Sequence, residues 1–296
     1  MALPALYRPN TSTYTQFVGV AIDGWKAPGL DDYGCEWILE TFEGWSGTPD
    51  LRVGGQDRPL DHGQFDQPSY LGSRVVTMQG TTICPTQTAA LLASDIVSSI
   101  CSDPSQLYLL QVAEPSGIVR RANVRLNTPT KVSDLIDGTI RWQIQVKAPD
   151  PRRYDDNETV IVLTPPTGAS GGITVPFTVP FTISTTGLGS STATAVNNGT
   201  FATRPVVTLA GPLVDPQIAH LGVGRSLSLT ITLAAGDVLV VDFDKRTVTL
   251  NGSASRSNTL TDTAAWWELA PGGNDLMLTA GGGSGTATIR YRSALL

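Results

Sequence analysis

Gly168-Ala169-Ser170-Gly171-Gly172 matches the G-x-S-x-G pattern that carries a nucleophilic serine in many hydrolases. That pattern works only on a sharp strand-to-helix turn that exposes the serine. Here it lies in a Pro/Gly-rich stretch with no helical periodicity after it, so a linker is the expected role. A Ser-His-Asp triad would have to recruit His62 or His220, the two histidines of the chain. His62 falls in a long polar segment and His220 in an expected strand, where both read as solvated or internally satisfied polar groups. Acids cluster at Asp31-Asp32, Asp61/Asp66 and Asp155-Asp156. Paired acids serve glycosidases and calcium sites, but none of these has EF-hand spacing, and adjacent acids in loops are ordinarily solvated. The 46–72 segment is where calcium would be sought. Cys35, Cys84 and Cys101 are sparse, odd in number and without a CxxC pair. A disulfide framework is therefore not expected, and folding in a reducing environment is. The residues give no catalytic set, no metal-ligand spacing and no phosphate-cradling glycine loop, so neither enzymatic activity nor a cofactor is expected.

Two further groups have binding chemistry. Arg121, Arg125, Arg141 and Lys147 fall on the polar faces of two alternating strands. They read either as a solvated face or as a subunit or partner contact, since Arg is enriched in interfaces. Trp266 and Trp267 are adjacent, and on a strand they would point to opposite faces. One is then core and the other exposed or covered, and an exposed Trp is able to stack on a sugar.

The elements that must position these residues are mostly strands. The run 236–251, GDVLVVDFDKRTVTLN, reads as a hairpin turning at Asp244-Lys245. Its apolar arm is expected to be buried on both sides and its alternating arm on one. Upstream, strands are expected at 16–22, 36–42, 73–83 and 107–113. Ile118, Ala122, Val124 and Leu126 share a face that Arg120 interrupts. Ile140, Trp142, Ile144 and Val146 face inward along the next strand, with polar residues between them, as in an antiparallel sheet with one dry face. One helix is expected over 85–101, with Leu92, Ile96 and Ile100 at helical spacing and Ala89, Ala93 and Val97 widening that face. The polar stretch 46–72 is too long for a plain connection, and loops of that length are usually functional or order on binding. Ala148-Pro149-Asp150-Pro151 breaks the chain, placing a domain boundary at 153/154. In the second half, 173–183 alternates around two prolines like an edge strand. From Arg204 onward strands recur at the spacing of a sandwich, among them 226–233 and 265–269. The expected class is all-β: an N-terminal β-sandwich or split-barrel-like domain over 1–153 with one packed helix, and a β-sandwich over 154–296.

Composition sets the remaining bounds. With 41% hydrophobic and 16% charged residues, the chain can bury a sizeable core. A net charge of −6 argues against general nucleic-acid binding. No run approaches the roughly 20 apolar residues of a membrane span, and no signal peptide is visible. The four Asn-x-Ser/Thr sequons read as chance.

One ordered series carries a resemblance. It runs Asn198-Gly199-Thr200, Thr203-Arg204-Pro205-Val206, Leu209-Ala210-Gly211-Pro212, Gly236-Asp237, Val241-Asp242 and Val248 to Gly252. Trp267, Leu269, Pro271-Gly272, Asn274 and Ala287 to Arg292 complete it, while Gly55, Asp57, Arg74-Val75-Val76, Gly80 and Ala148 to Arg152 extend it into the first half. This series resembles the distal tail proteins of siphophages. The resemblance implies a structural virion protein at the phage tail tip, made in the host cytoplasm, joining a non-contractile tail tube to the tip or baseplate. It implies a homohexameric ring built by the N-terminal domain. It also implies a tail-tube-type fold for that domain and a peripheral, galectin-like C-terminal sandwich. Partners would be the tube, tape measure, hub and receptor-binding or tip proteins, with no specific nucleic-acid binding and no membrane insertion. Contacts would then fall on Arg121, Arg125, Arg141, Lys147, Asp57 and His62. The His-x-Asn-x-Arg type motif of sugar-binding galectins is not supplied around His220, which counts against the other reading, a carbohydrate-binding tail adhesin.

Overall fold

A computed structural model describes residues 19–134, 138–166 and 191–296. The G-x-S-x-G segment, the expected strand over 173–183 and residues 16–18 lie outside the described residues. The chain is mainly β and forms two compact units, Met1–Asp156 together with Leu296, and Asn157–Leu295. Each has its own core.

The first unit is one antiparallel sheet. Its path runs Trp25–Ala27, Gly19–Ile22, Tyr108–Ala113, Val119–Leu126, Thr139–Ala148, Arg74–Ile83, Glu36–Glu43 and Gly29–Leu30. The two ends of that path are the two halves of one segment bent at Pro28, and they are not hydrogen-bonded to each other, so no barrel closes. Thr139–Ala148 and Arg74–Ile83 pair over ten residues, from Thr139 opposite Ile83 to Ala148 opposite Arg74. The period-two pattern puts Ile140, Trp142, Ile144 and Val146 in the core, as expected. Trp25, Trp37 and Trp142 meet there with ring centroids 5.1 to 6.1 Å apart. Edge-to-face contact between such rings adds to their area burial.

The helix is Gln87–Ser99, capped by Thr86, whose hydroxyl accepts from the Ala89 N–H at 3.2 Å. Its buried face is Ala89, Ala90, Ala93 and Val97. Leu92, expected to be central, is 40% exposed. Small residues let a helix lie close on a sheet, so the alanine stripe becomes the contact and Leu92 is turned aside. The cysteine expectation also needs correcting, because Cys35 and Cys84 form a disulfide across a sequence separation of 49. They directly follow the ladder pair Glu36 opposite Ile83, so sheet register brings together thiols that sequence spacing keeps far apart.

The second unit packs a six-stranded sheet against a four-stranded one. The first runs Thr159–Leu163, Thr286–Tyr291, Val206–Ala210, Val238–Asp242, Thr247–Leu250 and Ala254–Ser255. The second runs Thr192–Asn197, Gly272–Thr279, Gln217–His220 and Arg225–Ser228. Both contribute to a single core that includes Val207, Leu209, Leu239 and Ile289 from one sheet and Ile218, Leu227, Leu276 and Leu278 from the other. The hairpin forms as expected, with Asp242 opposite Thr247. Its apolar arm is not buried on both sides: Leu239 and Val241 point inward, while Val238, Val240 and Asp242 point outward and are only partly covered. The expected strand over 226–233 divides into Arg225–Ser228 and Thr232–Leu233, which join different sheets. Over 265–269 there is no strand, only a bridge between Leu269 and Thr203.

Candidate assembly interface

The long polar stretch folds into an arm. Leu51–Arg52 pairs with Tyr70–Leu71, and Gln56–Asp57 pairs with Gln64–Phe65, giving two short nested ladders. Nothing covers it. Leu51, Val53, Leu60, Phe65 and Tyr70 are all exposed, Leu60 completely at 101%. At the tip Arg58 stacks 5.4 Å over the Phe65 ring and pairs with Asp61 at 3.6 Å. Asp57 accepts from the Gln64 side-chain amide at 2.7 Å, and the His62 N–H donates to Asp61 at 2.7 Å. Five bare apolar residues on one protrusion are a contact surface rather than scattered exposure.

The root of the arm is rigid where its length is bare. The Arg74 side chain points into the protein and is 1% exposed. Its Nη1 lies 3.0, 2.7 and 2.6 Å from the carbonyl oxygens of Gly44, Trp45 and Gly47, and its Nε donates to Pro151 at 2.9 Å. One guanidinium thus binds the arm's first residues to the end of the long strand, using the fork of donors that only Arg has. Around it lies a buried charge network. Arg120 contacts Glu114 at 2.6 Å and Asp155 at 3.9 Å, and Arg153 reaches Glu114 at 3.7 Å and sits 5.8 Å over the Trp45 ring. Burial, with Arg153 nearby, lowers the Arg74 pKa to about 10. Burial also raises the Asp155 carboxyl, against the pull of Arg120. The interruption of the apolar face at Arg120 has its reason here. No motif announces this network, and the one available signal was a charged residue in phase with apolar ones.

The expected cations lie on the outward face of the sheet but do not form one cluster. Arg121 is drawn to Asp156 at 3.5 Å. Arg125 and Lys147 stand directly opposite each other across neighbouring strands. Arg141 lies six residues from Lys147, beside a shallow groove of about 420 Å³ that Lys131, Glu40, Gln79 and Gln143 also line. The aromatic pair is placed by packing. Trp267 is 3% exposed and meets Phe243 at 4.4 Å and His220 at 5.5 Å. Trp266 covers the other side of Phe243, edge-on at 5.2 Å. Trp267 is thus core, while Trp266 is half-buried against it through Phe243. His220 is buried, with Nε2 2.9 Å from Asn274 Oδ1 and its ring edge-on to Trp267.

Comparison with known proteins places the second unit. Residues 198–294 match the family model described as the siphovirus-type tail component, C-terminal domain. The matched residues all lie within the second unit. No curated protein sequence matches the chain. Among solved structures, the chain is similar to the Dit protein of phage SPP1, described as a paradigm of the hub adsorption apparatus in phages infecting Gram-positive hosts. The TM-score is 0.66 at 14% identity, covering 94% of this chain and all of that one. It is also similar to a chain of the phage P2 baseplate in its activated conformation with calcium, at TM-score 0.48 and 12% identity over 94% of this chain and 97% of that one. At 14% identity the SPP1 likeness establishes the fold over 94% of the chain.

Proposed function

We propose that this chain is a distal tail protein, a structural element between the non-contractile tail tube and the tip or baseplate. The observation that carries the reading is the family match over residues 198–294, in a chain of which 94% is covered by the fold of SPP1 Dit. On this reading six copies form a ring through the first unit. The arm, with Asp57 and His62, and the outward cations Arg121, Arg125, Arg141 and Lys147 supply ring and tube contacts. The galectin-like second unit stands at the periphery and carries tip, hub or receptor-binding proteins. The work is mechanical, without catalysis, cofactor, nucleic-acid or membrane binding. A carbohydrate adhesin gains no support from Trp266 and Trp267, which are occupied with Phe243. The test is imaging of intact particles with a label on this chain. The expected result is a ring of label between tube and tip, and label elsewhere on the virion, or none, would end the reading.

A further inference from the structure

The arm carries a net negative charge even with Arg58 paired to Asp61, and the Arg125–Lys147 corner of the outward sheet face carries a positive one. Over 50–70 the arm holds Asp50, Asp57, Asp61 and Asp66 against Arg52 and Arg58. On the sheet, Arg125 and Lys147 are cross-strand neighbours, an arrangement of like charges that costs stability. Neither forms an ion pair among the described residues, and the Arg125 Nε is buried without an acceptor. Farther along the same strand, roughly 20 Å away at the rise of a β-strand, Arg141 and Lys131 flank the groove with Glu40 beside them, so the cations without an acid nearby are Arg125 and Lys147. Cations held together without a counter-ion gain most from an anion supplied from outside. The copy's own arm does not supply it, since the tip residue Leu60 is fully exposed.

We propose that the acidic arm of one copy docks on the Arg125–Lys147 face of a second copy, with Asp61 and Asp66 facing the cations and Leu60 and Phe65 covered by the contact. This rests on the ring reading above and names the surfaces that would build it. The donating and receiving patches differ, so the contact is head-to-tail, and repeated with the right rotation it closes a ring. Covered apolar residues supply affinity, while the charges set register and association rate.

The experiment uses the full chain in three forms: Arg125→Glu with Lys147→Glu, Asp61→Lys with Asp66→Lys, and all four changes together. Thermal melting first establishes that each variant folds as the parent does. Sedimentation at low and high salt then measures association. Each two-site reversal is expected to weaken association at least about tenfold, close charge pairs at interfaces being worth that much or more. Combining both sets should recover a large part of the loss, and high salt should weaken the parent. Reversed variants that assemble as the parent does would overturn the docking and leave the ring reading standing. A combined variant that recovers nothing also overturns it. A parent chain that is monomeric under every condition removes the docking and the solution ring together.

Discussion

At the scale of single residues, Arg74 shows how far a side chain's role depends on what it meets. Four main-chain carbonyls from two distant segments converge on it. Truncation leaves those acceptors without their donor in a buried place, and such losses are expensive. Arg74→Ala is expected to destabilise the first unit by about 3 kcal/mol or more, read from chemical denaturation. Arg74→Lys should restore little, because an ammonium has no planar fork to span both segments. The two tryptophans make a second, internally controlled case. Trp267→Ala should cost about 3–5 kcal/mol, as for a large core aromatic. Trp266→Ala should cost about 1 kcal/mol, since that ring only partly covers Phe243. Equal losses would mean the core boundary is misplaced.

At the scale of elements, the hairpin and the arm are opposites. The hairpin is closed by a small polar knot: the Asn251 side-chain amide donates to Asp237 at 3.0 Å and its oxygen accepts from the Val238 N–H at 2.9 Å, while Asp237 also accepts from the Ala234 N–H at 2.9 Å. The Asn251 amide, then that N–H, hold the Asp237 carboxyl below the usual carboxylate range. A folded pKa lower than the unfolded one gives stability that is present above about pH 4 and lost as pH falls through the folded value. Asp237→Asn is therefore expected to flatten the acid side of the stability–pH curve, checked by denaturation between about pH 2 and 6. The arm has no such closure along its length. Replacing 53–67 by a short Gly-Ser linker should leave the melting temperature of the chain nearly unchanged, because no core residue is lost. The same change should abolish self-association. The disulfide belongs to this scale too. Reduction, or Cys35→Ser, should lower stability by about 2–4 kcal/mol through the freed loop, seen as a lower melting temperature in reductant.

At the scale of the whole molecule, the chain has two β units with separate cores and presents an exposed acidic arm and, on the first unit's sheet, the adjacent cations Arg125 and Lys147. Light scattering of the purified chain at rising concentration should give a multiple of the 31.3 kDa chain mass. The mass should fall as salt is raised. What the sequence by itself determined was whatever is local and periodic. The alternation from Ile140 to Val146 put those side chains inward because a strand has only two faces, and the hairpin followed from an apolar run, turn residues and an alternating return. The series from Asn198 to Arg292 pointed to the family whose model matches residues 198–294, because turn and strand residues keep their order along the chain. What only the tertiary structure decided depends on residues far apart in sequence meeting at a particular register. Cys35 meets Cys84 because their strands pair with Glu36 opposite Ile83. Arg74 becomes the clamp of the arm because Gly44 and Pro151 both arrive beside it. The four cations read as one stripe are separated by strand stagger, since Val119–Leu126 and Thr139–Ala148 touch at only two residue pairs. Periodicity tells which face a side chain takes, and only the packed sheet tells what lies opposite.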